Sequence, residues 1–294
     1  MKRLILTLTA ICAAVVMRAQ DGESSAVTLR VGDAAMTIDP AKGGKILSLK
    51  YLEREVISQL RWPESFGSTF WTSPQKEWNW PPVPEFDKQA YQVVQKAENR
   101  LVISSPVSQR LGLSVGKDFS VDAAAGAFVV TYSIRNEGQE ARSVAPWEIT
   151  RVANGQGSEG LIFFAAADSI WPAGQLNFEK GNDAVWYQTD EAPQNRKVNA
   201  DGGGWLAYCA GGLLLVKRFQ DLAPGQPAPG EAEVQVYVNR GRTFIELESQ
   251  GAYTLLPPGE ALRWTVCWQL MPVEKGIDRK GLMERVNSTF ITTK

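Results

Sequence analysis

Two carboxylates alternate in one short apolar run. In Thr243–Ser249, Ile245 and Leu247 share one face of an expected strand, and Phe244, Glu246 and Glu248 share the other. Strand geometry sets Glu246 and Glu248 about 7 Å apart, which makes either a solvated face or a paired-carboxylate site. The pair matters because the 294-residue chain contains no histidine. That zero excludes a Ser-His-Asp triad, a Cys-His dyad and His-ligated zinc or haem. Proton transfer falls to carboxylates, Lys, Tyr or Cys.

A further carboxylate candidate is Glu148, in Ala145-Pro146-Trp147-Glu148-Ile149-Thr150-Arg151-Val152. Pro146 predicts a bulge or a strand start, which either aims Glu148 into a cleft or leaves it exposed. Arg151, three residues on, points to the opposite face of a regular strand. Lys217 shares a face with Leu213 and Leu215, so it is either a substrate contact or the wet end of its strand; the wet end is the expectation.

Phe66–Pro84 gathers Trp71, Trp78 and Trp80 with Gln75 and with Pro74, Pro81, Pro82 and Pro84. Prolines at this density predict a loop or an edge. Aromatic platforms beside amide donors suit sugar rings, whose apolar faces stack on Trp while their hydroxyls take hydrogen bonds. The alternative is an aromatic plug over the end of the fold. Gly43-Gly44 and Gly202-Gly203-Gly204 read as turns without a phosphate-binding pattern. Asp33, Asp39, Asp168, Asp183 and Asp201 have no calcium-loop spacing, so neither a metal nor a cofactor is indicated.

These residues need elements to hold them. Runs rich in Val, Ile, Leu, Tyr and Trp, bounded by Gly, Pro, Asn and Asp, recur from residue 27 to residue 270. Helical periodicity is confined to Asp278–Asn287, where Asp278 is the expected cap and Leu282 and Val286 the buried side chains. In Leu262–Leu270 the alternation puts Trp264 and Trp268 on the core face. The fold class is therefore all-β, a large antiparallel sandwich. The Ala223–Gly230 stretch reads as a surface loop within one domain.

Met1-Lys2-Arg3 followed by apolar Leu4 to Val16 reads as a signal peptide, being shorter than the roughly 20 residues a membrane helix needs. Residues 1–19 are the expected leader and 20–294 a single exported domain, periplasmic or extracellular, with no membrane span. Lys and Arg (31) nearly balance Asp and Glu (32) without a basic block, which argues against nucleic acid or anionic lipid as main partner. Cys209 and Cys267 are too few for a disulfide scaffold, and their pairing stays open.

Three stretches resemble the galactose mutarotase-like, or aldose 1-epimerase, superfamily, and the mature chain is similar to secreted bacterial proteins assigned to that fold. They are Gly43–Ile57, Tyr132–Val152, and Leu247-Glu248-Ser249-Gln250 followed by Pro258-Gly259-Glu260 and the last aromatic strand, in the expected order. The resemblance implies a large antiparallel β-supersandwich and a carbohydrate ligand. It places Glu248 at the general base that removes the anomeric hydroxyl proton. It also sets Pro146-Trp147-Glu148 near the position of an essential His, which makes Glu148 the candidate acid. The ligand would lie near Trp71, Gln75, Trp78, Trp80, Trp147, Arg151, Lys217 and Glu246. Rival readings are sugar binding without catalysis, a structural module of the cell envelope with an open flat face at Glu248, and a polysaccharide lyase or glycosidase.

Overall fold

The computed structural model describes residues 25–289 except 63–64, 155–159, 168–169 and 192; the expected leader and Asp168 lie outside the described residues. Alternating apolar runs form two large antiparallel sheets, of eleven and ten strands among the described residues. The sheets pack face to face over a core that includes Phe70, Tyr132, Leu247, Trp264 and Trp268. The all-β expectation holds, and so does the burial of both tryptophans of the last strand.

Seven strands frame the site: β1 (Ser68–Ser73), β2 (Arg142–Ala153), β3 (Arg196–Ala200), β4 (Leu213–Arg218), β5 (Val234–Val238), β6 (Phe244–Gln250) and β7 (Ala261–Pro272). The eleven-stranded sheet contains the order β1-β2-β6-β5-β3, whereas β4 and β7 are neighbours in the other sheet. In the ladder Trp147 faces Gln250, Ile149 faces Glu248 and Arg151 faces Glu246. Trp147 also faces Trp71. Because side chains alternate, Trp71, Trp147, Arg151, Glu246 and Glu248 share the outer face of this sheet, while Phe70, Glu148 and Leu247 point between the sheets.

Two local expectations are corrected. The first half of Phe66–Pro84 is neither loop nor edge: β1 is an inner strand, buried throughout. The prolines begin only at Pro74, after Ser68–Ser73 has paired, and the irregular part follows as a short 3-10 turn at Gln75–Glu77 and a one-turn helix α1 (Pro84–Asp87). Nor does Pro146 start or bulge a strand, since β2 keeps its register with β1 through Pro146 and Thr72. The ring is tolerated because the β6 ladder has stopped on that side, where the Gly251 N–H donates to the Pro146 carbonyl at 3.0 Å.

Helix α1 fixes the wall of the cleft. Asp87 at its end accepts from Thr69 Oγ1 at 2.8 Å and from Trp71 Nε1 at 2.9 Å, and pairs with buried Lys45 at 2.9 Å. Gly43 permits this docking: its φ is +68°, and a Cβ there would lie 2.1 Å from the Asp87 carbonyl oxygen. The final helix α2 (Arg279–Ser288) is capped by Asp278, which accepts from the Gly281 N–H at 2.8 Å, and it buries Leu282 and Val286. Cys209 and Cys267 are unpaired thiols, and burial pushes the Cys209 thiol up to about 11. No helix of the described residues is long and apolar enough to cross a membrane.

Candidate functional site

A cleft of about 560 Å³ opens on the outer face of β2, β6, β5 and β3. Glu248 lies on its floor and is 1% exposed. Its Oε2 accepts from Trp147 Nε1 at 2.8 Å and from Lys197 Nζ at 2.9 Å, while Oε1 is buried without a hydrogen-bond partner. A buried polar atom left unpaired is costly, and a hydrogen-bond donor entering the cleft would satisfy it. Burial raises the Glu248 pKa to about 7; the Glu246 charge acts in the same direction, and Lys197 and Trp147 act against it. A carboxyl in this range exchanges protons at neutral pH.

The walls are aromatic. Trp71 meets Trp147 edge to face at 5.4 Å and Trp80 at 6.2 Å. Trp80 is 65% exposed at the rim, a ring held in solvent beside a cleft. Trp78 does the opposite: it is 1% exposed beneath Trp71 and Trp147, its Nε1 donating to the Thr72 carbonyl at 2.8 Å. Lys197 Nζ sits 4.8 Å from the Trp147 ring centre. Beside Glu248, Gln250 Oε1 is likewise buried and unpartnered. Glu231 ties the aromatic segment to this floor, taking the Gln75 N–H at 3.0 Å on one oxygen and Gln235 and Gln250 on the other.

The structure separates the predicted site residues into three groups. Trp71, Gln75, Trp80, Trp147, Glu246 and Glu248 line the cleft. Trp78 and Arg151 support it from behind: the Arg151 guanidinium pairs with Glu246 Oε1 at 2.7 Å between the rings of Trp71 and Phe244. Glu148 and Lys217 are not in the cleft. Both are fully buried between the sheets, where they form an ion pair. Lys217 also donates to Thr150 Oγ1 at 3.1 Å, and Glu148 accepts from Ser68 Oγ at 2.6 Å.

The wet-end expectation for Lys217 therefore fails. Its strand β4 is central, so the Leu-rich face carrying Lys217 looks into the sandwich and not along it to solvent. Burial pulls the Lys217 ammonium below its ordinary value, and Glu148 opposes this. Glu148 fails as the facing acid for the same reason: the period of two sends it inward when Trp147 and Ile149 face out.

Lys197, Tyr237, Asn239 and Arg240 also line the cleft, and sequence reasoning missed them. The signal for Lys197 was present in Arg196-Lys197-Val198-Asn199-Ala200, where polar side chains flank a buried Val198. Away from the cleft, the carboxylates of Asp201, Asp221 and Glu233 approach within 4.8 Å of one another. Glu233 accepts the backbone N–H groups of Gly202, Gly204 and Leu222, which accounts for it as the anchor of the triple-glycine turn.

The two large antiparallel sheets form a sandwich whose fold is shared with solved galactose mutarotase-like structures. A candidate aldose 1-epimerase from Escherichia coli K12 superposes with a TM-score of 0.61 over 84% of this chain and 99% of its own, at 13% identity. A galactose mutarotase-like protein from Lactobacillus casei ATCC 334 gives 0.59 over 84% and 100%, at 10% identity. An aldose epimerase homologue from C. elegans gives 0.53 over 85% and 100%, at 9% identity. No family model and no curated protein matches the chain. At these identities the likeness establishes the fold.

Proposed function

We propose that this protein is an exported carbohydrate-active protein whose cleft binds an aldose and interconverts its anomers, with Glu248 as the base. The carrying observation is the Glu248 Oε1 atom, buried and unpartnered on the floor of a Trp-walled cleft. Stacking on the exposed Trp80 ring holds the apolar face of the sugar, and the anomeric hydroxyl supplies the missing hydrogen bond to Oε1. Glu248 then removes that proton. The fold shared with a candidate aldose 1-epimerase and a galactose mutarotase-like protein supports the reading. A concave, Trp-lined floor at Glu248 is the reverse of the open flat face a structural module needs. Arg151 engages Glu246, which disfavours Glu246 and Glu248 as a glycosidase pair.

The test is titration calorimetry with a panel of aldoses, followed by exchange NMR between the α and β anomers of the sugar that binds. Glu248→Gln should retain binding and lose about 10²-fold or more in exchange rate. Equal exchange in wild type and variant overturns the assignment of the base. Binding without catalysis is the second reading, and the sequestration of Glu148 with Lys217 is the observation that favours it. It requires wild-type protein that binds sugar and leaves anomer exchange at the solvent rate.

A further inference from the structure

Opening an aldose ring needs two proton movements. A base takes the proton from O1 as the C1=O1 double bond forms, the C1–O5 bond breaks with its electron pair going to O5, and an acid gives O5 a proton. Glu148, the residue that the sequence offered as acid, is sealed between the sheets. The donor must come from the cleft itself.

Resting on the aldose reading of the cleft, we infer that Lys197 is that proton donor, working in direct contact with the base. Its Nζ lies 2.9 Å from Glu248 Oε2, and 33% of its side chain is exposed to the cleft. O1 and O5 are bonded to the same carbon, so an acid and a base in hydrogen-bond contact reach both without standing on opposite sides of the sugar. The contact also closes the cycle. When the ring recloses at either face of C1, O5 returns its proton to Lys197 and O1 takes one back from Glu248, so neither group is consumed.

The other charged and titratable groups facing this pair are committed elsewhere. Glu246 is held by Arg151 at 2.7 Å. The Tyr237 hydroxyl donates to Asn239 Oδ1 at 3.1 Å, and burial pushes it up to about 12. Arg240 lines the cleft, but a guanidinium does not release its proton. Beneath the floor, Glu148 and Lys217 neutralise one another. Among the described cleft residues, Lys197 alone combines a transferable proton with contact to Glu248.

The experiment measures binding and exchange separately on the mature protein, with D-glucose, D-galactose, D-mannose and D-xylose as probes. Lys197→Arg keeps the charge and removes the transferable proton. It should lower the anomer exchange rate at saturating sugar by about 10²-fold, with affinity changed only a few fold. Lys197→Ala should lose the same rate and regain part of it on addition of methylamine, a readout that a merely structural lysine would not give. Wild-type exchange in Lys197→Arg, or no amine rescue of Lys197→Ala, overturns the acid role while leaving the aldose reading intact. A wild-type protein that binds a probe without exchanging its anomers overturns the acid role too. One that binds none of the probes overturns the aldose reading and this inference with it.

Discussion

At the scale of single residues, the chemistry of the cleft depends on where Glu248 keeps its proton. In the unfolded chain its pKa is the ordinary 4.5, whereas burial raises it to about 7 in the folded protein. Between those values the folded state binds more protons than the unfolded one, so stability falls as pH rises from about 4.5 to about 7 and is flat above. Glu233, also raised to about 7, contributes a slope of the same sign. Glu248→Gln should therefore remove part of this slope. Its advantage over wild type should grow between pH 5 and 7 to about 3 kcal/mol at most, at about 1.36 kcal/mol per unit. Thermal melts of both proteins across pH 5 to 8 check this, and parallel curves contradict it. Nothing in Thr243–Ser249 distinguished a solvated Glu248 from a buried one; alternation names the face, and only the strands and rings around it decide how dry that face is.

Among elements, the two sheets are joined by a charged rivet. Glu148 on β2 and Lys217 on β4 meet in the core, so removing either partner strands the other charge. Lys217→Met alone should cost about 3–5 kcal/mol, and Glu148→Gln/Lys217→Met should recover most of it, because a buried pair and a neutral replacement are often close in energy. Chemical denaturation measures both, and the double variant should bind sugar as wild type does. A double variant no more stable than the single one counts against the pairing. The aromatic segment divides in the same way. Trp78→Ala opens a cavity under the cleft and should cost about 3–5 kcal/mol in stability. Trp80→Ala should leave stability within about 0.5 kcal/mol and weaken sugar binding by about tenfold, since its ring stands in solvent. The sequence showed both tryptophans in one proline-rich stretch; which one folded under depends on the Thr72 carbonyl that Trp78 reaches.

For the molecule as a whole, export is the remaining proposal: protein recovered from the periplasm or medium should begin at Gln20 by intact mass, and a retained leader would refute it. The sequence alone determined the all-β class, the core faces of the clearly alternating strands, the capped final helix and the absence of imidazole chemistry. These follow from local period, composition and capping, which neighbours hardly alter. Tertiary structure decided which of two carboxylates faces the cleft. Glu148 and Glu248 both sit in stretches of strand that are buried on both faces, where alternation loses its contrast. The register of β2 against β6 set Ile149 opposite Glu248 and so turned Glu148 inward. Pairing across 51 residues of chain brought Lys197 to Glu248, a contact between strands that no local pattern encodes.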